Sequence, residues 1–235
     1  ERARIHYVFK NGGLAANVVP DYAELEYVIR HPDVNETIAL MERIKKAAEG
    51  AALGTGTTVK WEMKTGLYNL LPNETLAKAM HSNLNALGGV IYDEEETAWA
   101  KQLRESFAGR KIPDISQAAE VKPYSLGYFP ASTDVGDVSY VVPTTGLSTA
   151  TWVPGTAAHT WQATAADGMS IGFKGMALAA KTIASTGIDL LTNPNLIIQA
   201  KEEFKKQLGD VVYKPLVGDD KPPLDFRKGM DVKTP

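Results

Sequence analysis

Apolar and polar positions alternate along residues 3–9 (ARIHYVF), 22–30 (YAELEYVIR) and 57–66 (TTVKWEMKTG). A period of two sends successive side chains to opposite faces, so each run predicts a strand. Lys10-Asn11-Gly12-Gly13 supplies a turn after the first run, and Pro32 ends the second. Between the second and third runs the period becomes helical, with Ile38, Met41, Ile44, Ala48 and Ala51 on one stripe. Asp33 with Glu36 gives a capping-box-like start, and Gly54 and Gly56 give the stop. Residues 1–68 therefore predict strand, strand, helix, strand. One helix covers only part of such a sheet, so this is a partial ferredoxin-like α+β unit.

From residue 69 helical periods dominate. Asn73-Glu74 opens a helix to Leu87, with Leu76, Met80, Leu84 and Leu87 on one stripe, and Gly88-Gly89 closes it. A more polar helix is expected over 93–108, then an irregular insertion over 109–128. Pro130–Gln162 follows as loop, strand, loop: a polar turn-rich segment with Ser132, Thr133, Asp134 and Asp137, a β-leaning run from Val138 to Trp152, and a second loop from Pro154 to Ala158 that delivers His159. Asp167 is the expected cap of a helix from Gly168 to about Ser185. That helix is apolar nearly all round (Ile171, Phe173, Met176, Leu178, Ile183) and so is expected to be buried. An amphipathic helix over 194–208 and a Pro-rich extended tail from Tyr213 complete the chain. Residues 69–235 thus read as part of an α/β domain.

Composition narrows the function more than the fold. Hydrophobic residues make up 44% and charged residues 23% of 235, as in globular domains with a core. A net charge of −3 with both signs interspersed makes no basic groove, so nucleic acid is a poor partner. No apolar run reaches membrane-spanning length, which argues against a membrane partner. Cysteine is absent, which excludes disulfides, thiolate metal sites and a cysteine nucleophile, and fits a cytoplasmic setting. There is no nucleophile elbow around Ser132, and no phosphate loop at Lys10–Gly13 or Gly54–Gly56.

His159 is the sharpest candidate. A neutral imidazole on a loop is the commonest metal ligand, but a lone histidine more often has a hydrogen-bonded or surface role, and zinc needs three or four ligands. Asp134 and Asp137 could ligate a metal or act as a base, or could simply satisfy their own loop through Asx-type turns. Asn17 and Arg30 flank a strand. An Asn can bind a carbonyl and an Arg can clamp a carboxylate, whereas a turn Asn and a strand-end Arg are common without function. Glu94-Glu95-Glu96 reads as a solvated first helical turn favoured by the helix dipole. His31 and His81 read as surface residues, and His6 as a strand residue facing solvent or its cross-strand neighbour.

As a set, these residues resemble a known family. Arg4-x-His6, Gly12-Gly13-x-Ala15-x-Asn17-Val18-Val19-Pro20-Asp21 and Arg30 resemble the lid of the dimetal amidohydrolases and peptidases, which include carboxypeptidase G, the aminoacylases and the auxin-conjugate hydrolases. Ser132–Ser139, Pro143-Thr144, Ala158–Gln162, Lys174-Gly175-Met176 and Ala179-Ala180-Lys181 resemble its p-aminobenzoyl-glutamate-hydrolysing branch. The resemblance implies that residues 1–68 are the second half of a lid that also forms a homodimer, and that 69–235 are the C-terminal half of a catalytic domain. It implies His159 as a metal ligand, Asn17 and Arg30 as substrate anchors, two divalent metals (Zn2+ or Mn2+), and an N-acyl amino acid substrate such as p-aminobenzoyl-glutamate. Ala131 departs from the usual Gly, and the lid histidine is missing. The family's His-x-Asp pair, bridging Asp and catalytic Glu have no counterpart here. The expectation is a portion of a longer protein that is inactive alone, or else a non-catalytic module that complements a partner carrying the other half.

Overall fold

The computed structural model describes residues 2–107, 112–129, 131–218 and 224. The chain divides into two compact units, one of Glu1–Leu70, Pro130–Val138 and Val212–Pro235, the other of Leu71–Phe129 and Ser139–Val211. The first unit holds β1 (Arg4–Asn11) and β2 (Glu24–Arg30), an antiparallel pair, followed by α1 (Val34–Thr55). The side chain of Asp33 accepts from the amides of Asn35 and Glu36, and Gly56 ends α1 in the left-handed region, at φ 68. Both ends are therefore written locally, in a cap acceptor and a residue without Cβ.

The expected third strand over 57–66 is absent: those residues are irregular, and the sheet has two strands. They still reach β2 through side chains, because Lys64 pairs with Glu26 at 3.0 Å. Lys45 of α1 lies 3.6 Å from the centre of the Trp61 ring. Alternation permits a strand, but only a neighbour offering its edge makes one.

The second unit is helical among its described residues: α2 (Glu74–Leu87), α3 (Glu94–Arg104), α5 (Trp161–Asp167), α6 (Ser170–Thr192) and α7 (Pro194–Leu208), with a 3-10 turn at Ile115–Ala119. In chain order α4 (Val135–Ser139) straddles the division between the units. α6 packs against α2, α5 and α7. A small core joins Ala100 and Leu103 of α3 to Val153 and Ile171, with Tyr92, Trp99, Phe107 and Ile115 around it.

Three further expectations change here. No strand forms over Val138–Trp152: α4 takes its start, and Thr149 and Trp152 bond instead to helices, Thr149 Oγ1 to the Gly175 carbonyl and Trp152 Nε1 to Asp167. Asp167 therefore caps nothing, and α6 starts at Ser170 without a side-chain cap. α6 is not buried all round, since Phe173, Met176, Ile183 and Leu191 are exposed. The expected ends of helix 93–108, at Ala108, and of the tail, at Pro222, Pro223 and Pro235, lie outside the described residues, as does Pro130.

Candidate functional site

The His159 loop is held from below. Val153 is buried in the core, and the Thr156 amide bonds back to its carbonyl at 3.0 Å. Gly155 has φ 97, and a Cβ there would meet Ile112 at 2.9 Å, so only glycine fits. Thr160 caps α5, accepting from the Ala163 amide, and its hydroxyl donates to the Ala157 carbonyl at 2.8 Å. Between these anchors His159 is forced to φ 61. That region costs a residue with Cβ about 1–2 kcal/mol. Three residues away the buried Thr156 hydroxyl has no hydrogen-bond partner among the described residues. The loop thus carries strain and an orphaned polar atom, a pattern that concentrates at functional sites. His159 itself is exposed next to the exposed Trp161. Its ring has no hydrogen-bond partner among the described residues.

The two aspartates divide. Asp137 accepts from the Tyr68 amide (3.2 Å) and the Tyr213 hydroxyl (2.9 Å), so its carboxylate holds the first unit together. Tyr68 and Tyr213 meet edge to face, and a Cβ on Gly136 would collide with the Tyr68 carbonyl. Asp134 is exposed, and the side-chain bond of that turn comes from Thr133, which accepts from the Val135 amide. Asn17 is exposed in a turn closed by the Val18 amide on the Ala15 carbonyl. Arg30 is exposed at the end of β2. Among the described residues no hydrogen bond joins Asn17 to Arg30.

The strand register adds a residue that stands in the sequence only as one letter of a motif. Arg4 lies directly opposite Arg30, and His6, opposite Val28, shares their face. Like charges directly opposite are unfavourable, and an anion between them would relieve the repulsion. The register, which no local signal gives, is what pairs them.

Two histidines are not simple surface residues. His31 is half-buried and its Nδ1 accepts from the Asp33 amide at 3.1 Å, and the half-buried His81 packs its ring on Tyr124. The acidic run is also corrected. Glu94 and Glu95 are exposed, but Glu96 is only 3% exposed. It accepts from the Asp93 amide at 2.9 Å and from Lys174 Nζ at 2.5 Å. Burial pushes its carboxyl up, but hydrogen bonds from Lys174, Ser170 and the Asp93 amide outweigh that and hold it below the ordinary glutamate value. Burial and then the Glu96 charge push the Tyr92 phenol up to about 12. Glu203 of α7 accepts from the amides of Glu74 and Thr75 and from the Thr75 hydroxyl, stapling the start of α2.

Among the described residues no three His, Asp or Glu side chains gather as a metal site. His159 alone is not a fit for a resident divalent metal, which needs further ligands. No described helix is long and apolar enough to cross a membrane.

No family model matches the chain. It is, however, 35% identical over 231 residues to the B component of p-aminobenzoyl-glutamate hydrolase from Escherichia coli (strain K12), covering 88% of this chain and 48% of that protein. It is 33% identical over 208 residues to Xaa-Arg dipeptidase of Mus musculus, covering 87% of this chain and 41% of the relative. A shorter match of 66 residues, 32% identical, covers 28% of this chain and 17% of N-acetyldiaminopimelate deacetylase of Leuconostoc citreum (strain KM20). The chain thus spans about half the length of the first two relatives.

Proposed function

The chain belongs to the amidohydrolase family of these three relatives, and from that membership we propose that it is part of a metal-dependent enzyme cleaving the amide bond of an N-acyl amino acid, of which p-aminobenzoyl-glutamate is the type. The observation that carries this reading is similarity over 88% of the chain to a hydrolase of that substrate. In this reading residues 1–68 are the second half of a lid and residues 69–235 belong to a catalytic domain. His159 gives one imidazole to a divalent metal, Zn2+ or Mn2+, both of which suit imidazole with carboxylates. The other ligands come from outside the described residues, so this chain alone does not hydrolyse the substrate.

Arg30, with Arg4 beside it, grips the carboxylate of the substrate's amino-acid end, and Asn17 donates to its carbonyl side. A guanidinium fork matches a carboxylate in two parallel bonds and fixes its direction. The lid also forms a homodimer. The support is a two-stranded sheet that leaves Ile5, Tyr7 and Phe9 exposed on one face, a surface that a sheet this small does not stabilise alone. The absence of cysteine fits a cytoplasmic setting.

Titration with p-aminobenzoyl-glutamate, followed by calorimetry, tests the anchors. Arg30→Leu weakens binding by about ten- to a hundredfold, the worth of a charged hydrogen bond. Equal binding by Arg30→Leu and the unaltered chain overturns the assignment.

A second reading is favoured by the lack of a complete metal cluster among the described residues. The chain would then be a non-catalytic module that complements a partner carrying the remaining ligands. Activity of the chain by itself, with about two tightly held metals as a two-metal site requires, would overturn both the incompleteness and this second reading.

A further inference from the structure

Lys101 and Arg104 stand three residues apart in the last turn of α3, close enough on a helix surface for like charges to repel. The helix dipole favours cations there, but it does not explain what lies beside them. The two side chains border a cavity of about 420 Å³, a size that suits a small organic molecule. It lies wholly in the second unit, between α3, the Val90–Tyr92 segment and the 3-10 turn. Its walls are tied together. The Val90 amide donates to the Ala118 carbonyl at 2.8 Å, and Arg104 Nη2 donates to the Pro113 carbonyl at 2.6 Å. A Cβ on Gly89 would collide with the Ala119 backbone at 2.4 Å, so these two segments meet without side-chain play. The cavity is therefore pre-formed.

Three observations give the chemistry of an occupant. Arg104 Nε is buried and has no hydrogen-bond partner among the described residues, which is costly for a charged donor. Lys101 is exposed and makes no ion pair among the described residues. The carboxylate of Asp114, which also lines the cavity, is already taken: it accepts from the Ser116 amide at 2.9 Å, and the Ser116 hydroxyl and amide hold its carboxyl below the ordinary aspartate value. Two cations against one carboxylate leave the lining one positive charge in excess. A single negative charge balances that excess, whereas a second would face Asp114. Val90, Ile91 and Ile115 make another part of the lining apolar, so a bare inorganic anion would leave that part unused.

We propose that this cavity binds a small monocarboxylic acid with an apolar body, its carboxylate between Lys101 and Arg104 and its body against Val90, Ile91 and Ile115. Hydrogen bonds from guanidinium and ammonium groups to a carboxylate are the strong, charge-assisted kind. Such an occupant also gives Arg104 the counter-charge that its own chain withholds. The site shares no residue with His159, Asn17, Arg4 or Arg30, so the inference does not rest on the metal and substrate roles proposed above.

Benzoate is the probe, titrated by calorimetry into the protein as the source cell produces it. Benzamide, which lacks the charge, and acetate, which lacks the apolar body, are the comparison compounds. Benzoate binds saturably in the millimolar range or tighter, and each comparison compound binds about tenfold or more weakly. Lys101→Gln weakens benzoate binding by about fivefold, as for an exposed ion pair, and Arg104→Gln by about tenfold or more. Arg30→Leu leaves it unchanged. Arg104→Gln also loses the bond to Pro113, so Lys101→Gln carries the test if that variant fails to fold. No saturation by benzoate at millimolar concentrations overturns the proposal, as does benzamide or acetate binding as tightly as benzoate. Benzoate binding that survives Lys101→Gln unchanged, or that is lost in Arg30→Leu, also overturns it, the latter by placing the acid at the substrate anchor.

Discussion

Glu96 and His159 lie in the same unit, and the fold treats them differently. Glu96 comes from an acidic triplet that looks solvent-bound, yet it is buried with Lys174 and the Asp93 amide on its carboxylate. His159 comes from a loop anchored at Gly155 and Thr160, yet its ring is exposed and its backbone strained. A charge that enters the interior must arrive with its partners, because an unpaired buried charge is costly. A group meant for an external ligand has the reverse requirement and must be left unsatisfied by its own chain. The contrast separates a side chain paired within the fold from one whose ring meets no hydrogen-bond partner among the described residues.

The largest effect should come from breaking the buried Glu96 site, where Oε2 accepts from the Asp93 amide and Lys174 while Oε1 is buried without a hydrogen-bond partner among the described residues. Glu96→Ala leaves Lys174 without its main partner and opens the α3–α6 contact. The expected loss is about 2–3 kcal/mol in urea unfolding, below that of a fully buried pair because Lys174 reaches solvent. A loss no larger than that of Glu94→Ala would collapse the distinction.

Acid should reveal the same site. The carboxyls of Glu96 and Glu203 are both held below their ordinary value of 4.5, burial being outweighed by Lys174 at Glu96 and by Thr75 at Glu203. Their contribution is complete above 4.5 and is lost as pH falls through the lower folded values. On the alkaline side Tyr92 acts in the opposite direction, its contribution lost as pH rises from 10.0 toward about 12. Thermal melts across pH should show both declines, and Glu96→Gln with Glu203→Gln should flatten the acid one.

The smallest stability effect belongs to His159. His159→Ala should shift unfolding by no more than about 0.5 kcal/mol, as for a surface change, while lowering any Zn2+ uptake. His159→Val should cost about 1–2 kcal/mol, because a branched side chain resists positive φ. A large loss in His159→Ala would make the residue structural and erase the contrast.

What the sequence disclosed follows the range of the forces. α1 and α2 begin and end where Asp33, Asn73, Gly56 and Gly88 say they do, because caps act within one turn. β1 and β2 were legible because both alternate and each is the other's edge neighbour, across a connection of residues 12–23. The alternating residues 57–66 and the apolar run from Val138 had no such neighbour, and their polar groups went to Glu26, Gly175 and Asp167. The partner of Glu96 lies 78 residues away, beyond any periodicity. At the site, His159 was visible as a residue type, but its left-handed backbone and the pairing of Arg4 with Arg30 depend on the fold around them.

The clasp at Asp137 bears on how the chain is made. Its two acceptor oxygens take one hydrogen bond each from Tyr68, sixty-nine residues earlier, and Tyr213, seventy-six residues later. A ribosome delivers these groups one after another. The first unit cannot close its clasp until Tyr213 has emerged, whereas β1, β2 and α1 all precede Asp137 and need neither of these bonds. Contacts between distant segments are the slow ones. The stretch from Asp137 to Tyr213 is therefore a window in which the sheet of β1 and β2 has already been translated and the last fastening of its unit has not.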